Sequence, residues 1–308
     1  MNDGALDLPN KKLFGRNYMI YLYSVMRTVL LALMLVSYAS YSFAEEALTE
    51  DKLQQDDKNS RDGYYFSIGT GYWNYESPLR EELNGLAFVI NGRYQRNGFF
   101  VELANGSSGT SNLPTLGYNF YGTEHWNLDL LYAITDGTGE FSYEMDGKTH
   151  EMPTLPISGV GFRALGSWGN TTLQLVGLNS FNSEFRSDTA VDYAALWLGH
   201  RWQIKNWSLN GLVGAKYRSS DLMNYSFGVT EREADKIVSA YETSSGVDYT
   251  AQIDLTYPIR KNVLFQIYAT HTQFSDEMLH SPIIKLLSKS ENRPEKEQTF
   301  GILLHYVF

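Results

Sequence analysis

From Gly246 the chain reads Gly246-Val247-Asp248-Tyr249-Thr250-Ala251-Gln252-Ile253-Asp254-Leu255-Thr256-Tyr257, a strict alternation of apolar and polar residues. In an extended chain Val247, Tyr249, Ala251, Ile253, Leu255 and Tyr257 share one face, and Asp248, Thr250, Gln252, Asp254 and Thr256 share the other. One unbroken apolar face and one polar face suit a barrel wall with lipid outside and a polar lumen inside. The split recurs in Val263, Phe265, Ile267 and Ala269 against Gln266, Tyr268 and Thr270. It recurs again in Trp207, Leu209, Gly211, Val213 and Ala215 against Ser208, Asn210 and Lys216.

Across the rest of the chain, twelve candidate strands can be counted, at 63–74, 84–95, 98–105, 112–122, 124–135, 157–168, 170–182, 190–203, 206–217, 246–257, 261–272 and 298–308. Most match the ~9–11 residues of a tilted membrane-spanning strand. A soluble sandwich also alternates, but it does not predict the rhythm of the connections. Those near Gln95-Arg96-Asn97, Gly122-Thr123, Gly169, Lys205-Asn206 and Ile259-Arg260-Lys261 are brief, whereas 136–156, 218–245 and 273–297 are long. Compact domains seldom leave such lengths as loops without a function. The expectation is an all-β protein: a transmembrane antiparallel up-and-down β-barrel of about 12 strands, with short periplasmic turns and long extracellular loops.

Composition agrees. Aromatic residues are 14% of the chain, with 22 Tyr against 8 Pro, yet mean hydropathy is only -0.31, because apolar and polar residues alternate. The absence of cysteine removes disulfides, thiol catalysis and thiolate metal sites. A net charge of -10 argues against nucleic acid as a partner, since phosphates call for a basic face.

The N-terminus reads as a targeting segment. Arg27 precedes the apolar run Thr28 to Val36, and Ser42-Phe43-Ala44 makes a small-residue cleavage site before Glu45-Glu46. That run is far short of the roughly 20 residues of a spanning helix. Residues 1–44 are therefore expected to be a signal peptide, with Met19 or Met26 as alternative starts. Residues 45–62, polar and charged throughout, are expected to be a flexible acidic periplasmic tail, and 63–308 the barrel.

Two stretches carry resemblances. The ending places Phe300, Ile302, Leu304, Tyr306 and Phe308 on one face. It resembles the β-signal by which the barrel-assembly machinery recognises outer-membrane proteins, with Tyr306 and Phe308 as its key positions. Upstream stands Asn224-Tyr225-Ser226-Phe227-Gly228-Val229-Thr230-Glu231-Arg232-Glu233-Ala234, followed by Tyr241 and Gly246. This segment resembles the MipA/OmpV family, although Ser226 interrupts the usual aromatic run. The resemblance points to Asn224, Tyr225, Phe227, Gly228, Val229, Glu231, Ala234, Tyr241 and Gly246 as a motif loop. Read on its own terms, Thr230 with Glu233 is a capping box, predicting a short helix with Ala234, Ile237, Val238 and Tyr241 on one face.

Catalytic spacing is not evident. The histidines, His125, His150, His200, His271, His280 and His305, form no metal-binding helical pair, and His280-Ser281 adjoin without an orienting acid. The acidic groups Glu140, Glu144, Asp146 and Glu151, and Glu231, Glu233 and Asp235, lack calcium-loop spacing and read as solvated charge. No catalytic, cofactor or metal residue is assigned. Inward charges are the better lead: Arg93, Glu102, Asp129, Arg163, Lys216, Asp248 and Asp254 fit either a selective channel or a closed ion-pair network, and their mixed signs favour pairing.

The resemblance implies a non-catalytic scaffold that brings a lytic transglycosylase to a bifunctional murein synthase in peptidoglycan remodelling. Contacts would run through 45–62 or the Arg260-Lys261 turn, in a protein surrounded by outer-membrane lipid and lipopolysaccharide. A small porin-like channel and a surface adhesin acting through the long loops stay open as alternatives, with a lipid hydrolase as the outsider.

Overall fold

The computed structural model describes residues 62–103, 115–134, 139–145, 148–154, 158–180, 192–291 and 293–308. The expected leader, and the expected tail up to residue 61, lie outside the described residues. Asp62 is described, and its carboxylate accepts a hydrogen bond from the Asn97 backbone N–H at 2.8 Å.

Fourteen strands succeed one another along the described chain: β1 (Gly63–Ser77), β2 (Arg80–Arg96), β3 (Phe99–Leu103), β4 (Thr115–Gly122), β5 (Trp126–Ile134), β6 (Gly139–Met145), β7 (Lys148–Thr154), β8 (Ser158–Trp168), β9 (Thr171–Ser180), β10 (Tyr193–Ile204), β11 (Trp207–Arg218), β12 (Gly246–Arg260), β13 (Val263–Gln273) and β14 (Lys296–Val307). Twelve of them close into one antiparallel barrel. Each strand pairs with its barrel neighbour in sequence, and the ends meet where β1 pairs β14 from Ser67↔Val307 to Glu76↔Gln298. The meander is the one the sequence predicts.

Two details differ from expectation. Within the 136–156 stretch β6 and β7 pair as a separate hairpin from Gly139↔Thr154 to Met145↔Lys148. Asp146-Gly147 between them is a strong two-residue hairpin signal. Secondly, β1 and β2 continue to a tight connection at Pro78-Leu79, so one connection at the long-loop end is short.

The faces obey the parity of the register. On β12 Val247, Tyr249 and Ile253 are exposed to the surroundings, while Asp248, Thr250, Gln252 and Asp254 are buried inside. Rings gather at the short-turn end of the outer face: Trp126 meets Trp168 edge-on at 5.1 Å, Trp207 meets Tyr257 at 4.7 Å, and Phe308 lies 5.5 Å from Phe66 and 4.9 Å from Tyr306. Toward the other end Tyr132, Tyr217, Tyr249 and Phe300 are exposed outward. Aliphatic side chains such as Leu130, Leu198 and Ile302 fill the band between. Two aromatic girdles around an apolar band are what a barrel presents to a bilayer.

Local chemistry sets the short turns. Asn97 (φ 51°) and Gly98 (φ 81°) both take positive φ, as the tight hairpin between β2 and β3 requires. Inside, large rings lie flat over glycines of the next strand. An added Cβ at Gly214 would collide with the Trp197 ring, and one at Gly301 with the Tyr268 ring.

Gly301→Val is accordingly expected to displace Tyr268 and destabilise the barrel by about 1–3 kcal/mol, the usual cost of overpacking. The check is the temperature at which the folded, fast-migrating band on semi-native gels is lost. An unchanged midpoint would contradict the packing described.

Candidate functional site

The lumen is filled in three ways. Nearest the short turns is an ion-pair network. Arg163 donates through Nε to Asp129 Oδ2 at 2.9 Å and approaches the same oxygen through Nη2 at 2.8 Å. It also reaches Glu102 at 3.2 Å. Arg93 binds Glu102 at 2.7 Å and donates to Gln95 Oε1 at 2.6 Å, while Asn119 Nδ2 donates to Asp129 Oδ1 at 2.7 Å. Both guanidinium groups stand over the Phe100 ring, at 4.0 and 5.2 Å from its centre. The network ties β2, β3, β4, β5 and β8 together across the inside, and each charge is neutralised where it is buried.

Above it the inner wall turns apolar. Phe100, Leu131, Ala133, Leu178, Tyr193, Ala195 and Trp197 form one buried cluster, joined by Leu222 and the half-buried Tyr225. Leu222 and Tyr225 belong to helix α1 (Ser220–Phe227), so this helix packs on the inner wall. Ser219 caps it, its hydroxyl accepting from the Leu222 N–H at 3.2 Å.

The third filling is a lid at the long-loop end. Helices α2 (Asp276–Leu279) and α3 (Pro282–Glu291) come from the β13–β14 connection. With α1 and the segment after it they bury Met223, Phe227, Val229, Val238, Phe274, Met278, Ile283, Ile284 and Leu287, with Leu79 from the β1–β2 tip packed alongside. Burying a single such side chain stabilises by roughly 1.5–3 kcal/mol. Below the lid, Arg218 pairs with the fully buried Asp248, which also accepts from the Ser275 N–H at 3.0 Å. Barrel and lid thus share one buried carboxylate.

The motif segment is the fastening of this lid. Asn224 grips the returning chain twice, Oδ1 accepting from the Thr243 N–H at 2.6 Å and Nδ2 donating to the Thr243 carbonyl at 3.1 Å. Phe227 is buried in the lid core, and Gly228 ends α1 where an added Cβ would collide with the Asn224 carbonyl. Val229 and Tyr241 bridge in antiparallel fashion. The Tyr241 hydroxyl donates to the Glu277 carbonyl of α2 at 2.9 Å, and partial burial beside the Glu277 carboxylate pushes its pKa up, keeping it a donor. Ala234 packs on the lid core, Glu231 is exposed, and Gly246 leaves room for Ser275 and Met223.

The helix expected after Thr230 does not form. Glu233 Oε2 does accept from the Thr230 N–H at 2.9 Å and its hydroxyl at 2.7 Å, and Ala234 N–H donates to the Thr230 carbonyl at 2.9 Å. The turn then stops, because Asp235 Oδ1 takes the N–H groups of Ile237 and Val238 at 2.6 and 2.8 Å. A short acceptor side chain out-competes the helical carbonyl there. The helix lies upstream instead, and Ile237 is exposed rather than packed.

The remaining candidates divide. Lys216 stands beside Asp248 in register. Asp254 accepts from Gln252 at 2.8 Å and Gln266 at 3.1 Å. Arg218 was missing from the sequence-based set, although it is inward by parity two residues after Lys216. Helix α3 was missed too, although Ser281-Pro282 ahead of Ile283, Ile284 and Leu287 is a helix start with an apolar stripe. His280 and Ser281 serve separate partners: His280 Nδ1 meets the Asp276 carbonyl at 2.7 Å, and the buried Ser281 hydroxyl donates to the Phe227 carbonyl at 2.7 Å. Tyr306 and Phe308 lie exposed on the outer face at the short-turn rim. The side chains of Glu140, Glu144, His150 and Glu151, and all of Asp146, lie outside the described residues.

The chain is similar to known proteins of the outer membrane. The family model described as MltA-interacting protein MipA matches residues 66–308. Outer membrane protein OmpV of Vibrio cholerae is 34% identical over 186 residues, 58% of this chain and 69% of that protein. Outer membrane protein Omp26La of Vibrio anguillarum is 32% identical over 187 residues, 59% of this chain and 69% of that protein. Among solved structures, the outer membrane channel DcaP of Acinetobacter baumannii aligns with a TM-score of 0.37 at 12% identity, over 81% of this chain and 99% of that one.

Two substitutions test the fillings separately. Asn224→Leu is expected to free the 228–245 segment, so that trypsin cuts at Arg232 or Lys236 at least about tenfold faster, in line with losing two hydrogen bonds. Arg163→Met takes the guanidinium from Asp129 and leaves Glu102 with Arg93 alone, and is expected to cost about 3–5 kcal/mol in urea unfolding from lipid. Equal protease resistance, or an unshifted urea midpoint, would contradict the corresponding role.

Proposed function

The chain belongs to the MipA family of outer-membrane β-barrel proteins, and on that basis we propose that it is a non-catalytic scaffold of peptidoglycan remodelling. The observation that carries this reading is what occupies the lumen: an ion-pair network, a helix packed on the inner wall and a lid at the long-loop end. A barrel filled by its own side chains works through its surfaces rather than as a conduit.

The matching family is described as MltA-interacting, and a murein-processing partner would have to meet this protein from the periplasm. That side is the short-turn rim, where Arg260 and Lys261 are exposed at the β12–β13 turn and Lys205 at the β10–β11 turn. Cationic turns favour an acidic partner surface and speed its encounter. The scaffold would hold a lytic transglycosylase and a bifunctional murein synthase together there, contributing position rather than chemistry.

A porin-like channel is the second reading, favoured by the polar inner wall of β12 below the lid. It requires the lid fastened by Asn224 and Tyr241 to move away. An adhesin role through the long loops has no such observation behind it.

The test is cross-linking in intact envelopes, mild detergent purification of the tagged full chain and mass spectrometry of the proteins that co-purify with it. Recovery of a lytic transglycosylase or murein synthase above an unrelated-barrel control is expected, falling severalfold in Arg260→Glu/Lys261→Glu. Recovery no better than that control would sink the scaffold reading.

A further inference from the structure

Toward the short turns, the inner wall of β10 to β13 carries amides and hydroxyls. In register Arg201 stands beside Asn210 and Asn210 beside Asp254; one step nearer the rim Gln203 stands beside Ser208, Ser208 beside Thr256 and Thr256 beside Gln266. Parity turns all of these inward, yet Arg201 and Gln203 are exposed and Ser208, Asn210, Thr256 and Gln266 only half-buried. Solvent therefore reaches this wall. On β1, Tyr65 stands beside Arg93 on the inner face and is 53% exposed.

The charges of this half of the lumen balance, with Arg93, Arg163 and Arg201 against Glu102, Asp129 and Asp254. A balanced wall offers no net attraction to an ionic ligand. What it offers is hydrogen bonding. The half-buried Asn210 amide sets a donor beside an acceptor, the pairing that a sugar hydroxyl, itself donor and acceptor, completes. The open Tyr65 ring adds an apolar face with a polar tip, suited to the C–H face of a pyranose. At the ceiling, where Trp197 stands beside Gln174, the buried indole N–H has no hydrogen-bond partner among the described residues. Such a buried orphan donor is rare.

We propose that the short-turn half of the lumen is a binding vestibule for an uncharged saccharide chain. It opens on the periplasm and is closed above by the apolar cluster and the lid. The inference goes beyond the scaffold reading and stands on different residues: partner capture uses the rim, and sugar binding uses the inner wall. Two sources share the chemistry, the glycan of murein and free oligosaccharides.

The experiment is titration of the purified full-length barrel in detergent with chitotetraose, which carries the acetamido groups of a murein glycan, and separately with maltotetraose. Binding is monitored by calorimetry and by tryptophan fluorescence. Saturable binding of at least one sugar is expected, weakened about tenfold or more by Tyr65→Ala and by Asn210→Leu, the loss of a single well-placed contact. Glu231→Gln at the far rim should leave it unchanged. Preference for chitotetraose assigns the murein source, and preference for maltotetraose the free one. Gel mobility of the folded form shows that each variant has its barrel. Failure of both sugars to bind, or binding indifferent to both inner-wall substitutions in folded protein, overturns the vestibule, whatever partners are captured in envelopes.

Discussion

Backbone hydrogen bonding in lipid governs everything else in this molecule. Within the hydrocarbon no water satisfies a free N–H or C=O, so a sheet that crosses must have no edge. The closing seam is the ten-pair register between β1 and β14 from Ser67↔Val307 to Glu76↔Gln298, extended by the Phe308 N–H donating to the Phe66 carbonyl at 3.0 Å. Once the seam is fixed, parity assigns every strand residue to lipid or lumen, and a one-residue slip would exchange the two faces.

Closure creates an interior that a barrel of this size must fill or flood. This chain uses charge on one wall and apolar packing on another. The Arg163 network joins strands that are not all neighbours, so it braces the wall as well as occupying space. The apolar cluster receives a helix, and the lid core then buries what the helix leaves uncovered. The two fillings meet different requirements. Buried ions hold only while each partner is present, whereas the apolar plug is held by its own packing and by the hydrogen bonds of Asn224 and Tyr241.

Period and range decide how much of this was legible in the sequence. Strands were legible because alternation is local: residues 246–257 declare both faces without reference to any other segment. Which charges meet was only partly legible, since parity places Arg93, Glu102, Asp129 and Arg163 inside but only the register brings them together. Arg218, at the very end of β11, was overlooked at a strand boundary. The lid was least legible. The Thr230–Glu233 box formed its hydrogen bonds and still gave no helix, because Asp235 captured the next two N–H groups. Helix α1 lay hidden in the motif itself, and its position against Leu131 and Trp197 depends on contacts far along the chain.

On the scaffold reading the inserted helix and the lid keep the resting barrel closed, and the decisive measurement is single-channel recording of the purified wild-type protein in planar bilayers. The prediction is an electrically silent membrane after insertion has been verified by antibody or protease protection. A stable unit conductance, as a water-filled lumen of porin type would give, would contradict it and make the lid and the ion-pair network furnishings of an open pore.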